Sequence, residues 1–206
     1  CYVILTITSG FLILTFLTYP KLDGNSIEKR RSYTVLINKK LWLHAAIIVS
    51  SYSAYKCLDY YSLFMFEVYR WSEEASAGFS ATVSFLRPLS AFAAGLLSDR
   101  IGSSSSLKYL FLILVITYTY LAFGSSLQDK ANLIIANLTI SACAVFALRA
   151  IYFALLEENQ VPQPFTGSAV GLISMVGFLP DIFFSPIAGR ILDSKPGING
   201  YSELFL

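Results

Sequence analysis

Asn132–Leu156 reads NLIIANLTISACAVFALRAIYFALL, a run broken by a single charge at Arg149. A bilayer core needs about 20 mostly apolar residues in one helix, so this stretch is long enough to cross. It is continuous rather than alternating apolar and polar, which excludes a strand of a closed membrane barrel. Working outward, Leu107–Phe123 (LKYLFLILVITYTYLAF), Ala75–Leu97 and Leu41–Phe66 precede it, Cys1–Tyr19 opens the chain before Pro20, and Phe165–Ile191 follows. The breaks Glu67–Glu74, Ser98–Ser106, Ser125–Lys130 and Glu157–Pro164 are short, and only Pro20–Lys40 is long. The pattern predicts an all-α membrane protein, a bundle of six transmembrane helices.

Composition agrees. Hydrophobic residues make up 55% of the 206 and charged ones only 14%, against about 25% charged in soluble domains. Mean hydropathy is +0.62. A net charge of +2 is too small to point to nucleic acid. Cys1, Cys57 and Cys143 have no metal-ligand spacing and lie in apolar runs, so they read as packed thiols. One histidine, His44, cannot build a metal site. With no nucleophile–base pair and no phosphate-binding loop, an enzyme is not expected, and no cofactor or metal is implied. The chain starts at Cys1 inside an apolar run, and Leu204, Phe205 and Leu206 resemble the first turn of another helix. Both ends read as cuts in a longer protein, and no basic region suggests a signal peptide.

Basic residues set the expected orientation. The long break holds Lys21, Lys29, Arg30, Arg31, Lys39 and Lys40 and is placed in the cytoplasm, as is the connection near Arg100 and Lys108. Arg70, Lys130, Arg190 and Lys195 then fall outside. The plainer use of such a basic loop is topology and contact with anionic lipid.

After the third run comes Gly95-Leu96-Leu97-Ser98-Asp99-Arg100-Ile101-Gly102. It resembles the loop signature of the major facilitator superfamily, G-x-x-x-D-R-x-G followed by basic residues. Here Ser103–Ser106 replace the basic residues, which suits the family's weaker second copy of the motif. Arg149–Glu158 and Gly177–Phe183 look like the tenth and eleventh helices of some bacterial members. The resemblance implies the C-terminal six-helix half of a twelve-helix transporter: residues 1–19 its sixth helix, 20–40 the central cytoplasmic loop, and 41–206 helices seven to eleven with the start of twelve. It implies an absent N-terminal six-helix half as partner, and a conformational latch at Gly95, Asp99, Arg100 and Gly102. A plain polar turn between two spans is the simpler alternative.

Five ionisable residues fall near the middle of predicted spans: Lys56, Asp59, Arg87, Arg149 and Asp181. Each costs roughly 2.5–3.5 kcal/mol at a helix centre on insertion scales, while a central leucine returns only about 0.3–0.6 kcal/mol. Such charges persist where they pair, meet water or serve a pathway. Lys56 and Asp59 share a helix face, with Tyr52 and Tyr60 four residues either side of Lys56. Arg87 has Ser80 and Ser84 on its face and precedes Pro88; Asp181 has Ser174 and Ser185 on its face and lies between Pro180 and Pro186. Gly167, Gly171 and Ser174 form a small-xxx-small face suited to close packing. Structural salt bridges are the plainer alternative, and Arg149, near the end of its run, can snorkel.

Three bases against two acids predict a positive cavity for a small anionic solute, gripped bidentately by arginine. Lys56, Arg87, Arg149, Tyr52 and Tyr60 are the expected substrate contacts, and Asp59 or Asp181 the expected proton carrier. The reading is a proton-coupled secondary transporter working by alternating access in the plasma or bacterial inner membrane, with the lipid bilayer as its other partner. A neutral solute such as a sugar, bound through Tyr, Ser and Asn, is the alternative; so is a sensor or structural membrane protein that moves nothing.

Overall fold

The computed structural model describes residues 39–124, 131–152, 154 and 163–205, which fall in one compact unit, Asn38–Leu206. Every regular element among them is helical. In chain order they are α1 (Lys39–Cys57), a 3₁₀ turn (Leu58–Tyr60), α2 (Tyr61–Glu67), α3 (Glu73–Ile101), α4 (Ser103–Gly124), α5 (Ala131–Ile151), α6 (Gln163–Gly177), α7 (Pro180–Ser194) and α8 (Ile198–Leu204).

The local sequence explains the longest of these. Ser72 has an extended backbone, and its hydroxyl accepts from the Ala75 N–H at 3.2 Å, which satisfies one orphan donor of the first turn. Glu73 and Glu74 place negative charge at the positive helix end, and Arg100 places positive charge at the other. Gly102 then ends α3 at φ 84°, a conformation that favours glycine. Its amide closes on Ser98 O at 2.8 Å, the Ser106 amide closes on Gly102 O at 3.1 Å, and α4 begins at once. The polar break expected over Ser98–Ser106 is therefore a one-residue turn. The serines are helical, and the Ser98 and Ser103 hydroxyls pair across it at 2.8 Å.

Four stretches among the described residues are long and apolar enough to cross a membrane: Glu73–Ile101, Ser103–Phe123, Ala131–Ile151 and Ala169–Ser194. They coincide with four of the six expected spans, Ala75–Leu97, Leu107–Phe123, Asn132–Leu156 and Phe165–Ile191, and the described residues do not confirm the count of six. Leu41–Phe66 is divided by the 3₁₀ turn and holds Lys56 and Asp59 at the division. Phe165–Ile191 is two helices, α6 and α7, joined through Phe178 and Leu179. Cys1–Tyr19, the Pro20–Lys40 loop up to Asn38, the Ser125–Lys130 connection and most of Glu157–Pro164 lie outside the described residues.

α5 sits at the centre, packed on α1, α3 and α4, and it buries Ile134, Leu138, Ala142, Val145, Leu148 and Ile151. An aromatic core fills one end of the bundle. Phe64 meets Tyr69, Tyr201 and Phe205 with ring centroids 5.1–5.5 Å apart. The Tyr61 hydroxyl is 2.6 Å from that of Ser141. Outside the spans, Tyr201 donates to Glu67 Oε2 at 2.8 Å; burial, then that carboxylate, pushes its phenol well above the ordinary value. Lys195 and Glu203 pair nearby. The outer surface is apolar, with Phe85, Phe92, Phe123, Met175 and Ile182 exposed, as a lipid-facing surface requires. Cys57 and Cys143 are free thiols; Cys1 lies outside the described residues.

Among the described residues no atom lies within 4 Å of where a Cβ on Gly167 or Gly171 would stand. The opposite side is packed. Ala169, Ile173 and Gly177, at four-residue intervals, are buried, and α6 packs on α1. A Cβ on Gly177 would lie 2.4 Å from Ile48 Cγ2 and 3.0 Å from its Cβ. A β-branched isoleucine cannot swing clear of that position. Gly177→Ala is expected to lower stability by about 1–3 kcal/mol through overpacking, read as a lower Tm in detergent. An unchanged Tm would show that α6 and α1 approach less closely than this.

Candidate functional site

Lys56 is the hub. Three-residue spacing on an α-helix leaves side chains about 60° apart, but in a 3₁₀ turn residues i and i+3 eclipse. The turn at Leu58–Tyr60 therefore swings Asp59 over Lys56, and Nζ lies 2.7 Å from Asp59 Oδ2. The same rotation carries Tyr60 off the face. Its ring meets Phe184 of α7 at 6.1 Å, and no described contact joins it to the charged cluster.

The second break supplies the other carboxylate. Pro180 begins α7, where a fixed φ and a missing N–H cost nothing. Asp181 follows in the first turn, favoured by the positive helix end. It accepts a 2.8 Å hydrogen bond from the Tyr52 hydroxyl and lies 3.5 Å from Lys56 Nζ. Lys56 thus stands between two carboxylates from two interrupted helices. The lysine side chain is mostly covered, at 18% exposed, while the acids stay half open, at 53% and 50%.

The two arginines reach the same place through an aromatic residue. Arg149 of α5 lies over the ring of Tyr55, its guanidinium carbon 3.9 Å from the centroid, and 5.5 Å from that of Tyr52. Arg87 of α3 donates to the Tyr55 hydroxyl at 3.3 Å and sits 5.1 Å from the Phe146 ring centroid and 5.7 Å from that of Tyr55. Among the described residues neither arginine has a carboxylate within 4.0 Å. All five predicted charges converge, from α1 and its 3₁₀ turn, α3, α5 and α7. Sequence reading missed Tyr55 and Phe146. Tyr55 had a signal: Tyr52, Tyr55 and Asp59 follow the i, i+3, i+7 spacing of one helix face. Phe146 had none, because one aromatic in an apolar run reads as core.

A cavity of about 180 Å³ opens beside this cluster between the 3₁₀ turn, α2, α3 and α5, with Asp59, Ser62, Ser80, Ser84 and Arg87 among its walls. A larger groove of about 470 Å³, bordered by Leu86, Leu89, Ile113 and Ile140, is almost wholly apolar and suits lipid contact. Asp99 and Arg100 are exposed at the end of α3, on the far side of the Gly102 turn from α4.

The fold and this charged interior define a multi-pass helical protein of the cell membrane. The chain is similar over 99% of its length to the inner membrane protein YihN of Escherichia coli K12, at 28% identity. It is similar over its full length to the inner membrane protein YqcE of the same strain, at 24%. The chain spans about half the length of these curated relatives, 51% of each. No protein-family profile matches it, and no solved structure does. The expected membership of the major facilitator superfamily, with its twelve-helix architecture, is corrected by these findings: neither relative carries that description and no family profile supports it. Structurally, Gly95–Gly102 is a helix end with a glycine turn, a feature any tight helical hairpin needs. The latch assigned to Gly95, Asp99, Arg100 and Gly102 came with that family and goes no further.

Proposed function

We propose that this chain forms the substrate-binding part of a secondary transporter for a small anionic solute. The convergence of three cations and two acids, Lys56, Asp59 and Asp181 among them on two interrupted helices, inside an apolar bundle, supports the reading. Charges at membrane depth are costly and mark solute or ion pathways, and irregular backbone is tolerated there where it lines a cavity. Interrupted helices at the site are a recurring feature of carriers that alternate access.

In this reading Arg87 and Arg149, free of carboxylates among the described residues, grip the anion. Tyr52 and Tyr55 hold them in place. Lys56 neutralises Asp59 and Asp181, and one of these acids takes up the coupling proton, releasing Lys56 to the solute. The relatives are about twice as long, so polypeptide beyond this sequence completes the carrier. No covalent chemistry is required of it. Proteoliposomes holding the full-length protein, with uptake driven by an inward proton gradient, test the proposal. Small carboxylates and phosphates are expected to compete for uptake while neutral sugars of the same size do not. Equal competition by neutral sugars would replace the anion with the uncharged solute.

A further inference from the structure

Resting on that anion reading, the geometry points to a narrower substrate class: a small polyhydroxylated acid, meaning a sugar-like chain that carries a carboxylate or phosphate. The argument concerns the cavity of about 180 Å³ beside Arg87. Its size comes first. Drug-sized ligands occupy sites of roughly 300–1,000 Å³, so this cavity takes a solute of a few heavy atoms up to about a six-carbon chain.

Its lining comes second. A pocket for a simple inorganic or fatty anion needs donors alone, or donors and an apolar wall. This one sets a guanidinium, Arg87, beside an acceptor-only carboxylate, Asp59, and the serines Ser62 and Ser84. Asp59 does not repel the anion as a bare charge would, because Lys56 lies 2.7 Å from it. It keeps further lone pairs for hydroxyl protons, and it is half open.

The serines are not equivalent, and the difference is informative. Ser84 gives its proton to the Ser80 carbonyl one turn back on α3, at 2.9 Å. Its lone pairs remain to accept. The Ser80 hydroxyl is buried and finds no hydrogen-bond partner among the described residues. That oxygen is closed off from the cavity, so the exposed Ser84, and not Ser80, offers its hydroxyl to a solute there. Leu58, Tyr61 and Val83 line the rest of it together with Tyr55, Phe79 and Phe146, whose flat faces are of the kind that C–H-lined sugar chains pack against.

The test uses the full-length protein in proteoliposomes and four competitors of matched size: gluconate, hexanoate, sorbitol phosphate and sorbitol, with inorganic phosphate as reference. Two or three net hydrogen bonds to hydroxyls give roughly 10–100-fold preference. Gluconate is therefore expected to outcompete hexanoate, or sorbitol phosphate inorganic phosphate, by that factor; whichever pair shows it tells carboxylate from phosphate. Ser84→Ala is expected to narrow the preference about 3–10-fold. If the plain anions compete as well as their hydroxylated partners, this inference falls and the anion reading stands. If sorbitol competes as well as gluconate, the anion reading itself falls. The wild-type competitor series decides the matter even where a serine variant fails to fold.

Discussion

Replacing Lys56 with methionine is expected to abolish proton-driven uptake by the full-length protein, a loss of roughly 100-fold or more, and to lower its Tm. Methionine keeps most of the side-chain volume, so the change removes a charge and little packing. What stays behind decides the size of the effect. Asp59 Oδ2 and Asp181 Oδ1 lie 2.7 Å and 3.5 Å from the same ammonium nitrogen. Without it two half-open carboxylates are left with no cation between them, and like charges so placed repel. Removing one partner of a fully buried pair costs about 3–5 kcal/mol. The half exposure of these acids reduces that to about 1–3 kcal/mol in stability. Adding Asp59→Asn and Asp181→Asn to the lysine change is expected to restore the Tm and leave uptake lost. Normal uptake by the Lys56→Met protein would remove Lys56 from the pathway. A Tm that stays low in the triple variant would show that the lysine stem, not its charge, was what the structure needed.

The charged cluster was legible in outline because charge in an apolar run stands out against its surroundings. Lys56 and Asp59 could be paired on spacing alone, since both lie on one segment. Their meeting with Asp181, 122 or more residues away, could not, because nothing local encodes how α7 packs on α1. The interruptions were hidden too. Leu41–Phe66 and Phe165–Ile191 are apolar enough to read as single spans, yet each breaks. Pro180 and Pro186 hinted at the second break; the 3₁₀ turn at Leu58–Tyr60 has no proline or glycine to announce it. Tyr55, whose ring lies under Arg149, was overlooked because a tyrosine in an apolar segment reads as packing. Helix ends were easier. Ser72, Glu73, Glu74 and Gly102 bound α3 through caps whose physics is local. Gly177 shows the opposite case: its role is a contact with Ile48, 129 residues earlier, while Gly167 and Gly171, with the better motif, touch nothing described.

Arg87→Ala and Arg149→Ala are each expected to raise KM for the transported anion roughly 10–100-fold, the range for losing one charge-assisted or bidentate contact, with little change in Tm. The stability side follows from what holds each guanidinium now. Arg87 has one long hydrogen bond to Tyr55 and two aromatic neighbours at 5.1 Å and 5.7 Å, and cation–π contacts at open sites contribute only about 0.5–1 kcal/mol. Arg149 is held more closely, 3.9 Å over Tyr55, so its loss is expected to cost somewhat more stability than that of Arg87. Lysine tells stacking from charge. Arg149→Lys keeps the charge but loses the planar face that lies on Tyr55, so it is expected to recover part of the alanine defect and no more. Tyr55→Phe keeps both stacks and removes only the hydroxyl that Arg87 uses, so it is expected to shift KM through Arg87 while leaving the contribution of Arg149 in place. The combination Arg87→Ala with Tyr55→Phe is then less than additive in KM, and Arg149→Ala with Tyr55→Phe is additive. If the arginines serve only to tie helices together, the pattern inverts: Tm falls in both alanine variants, and KM does not move.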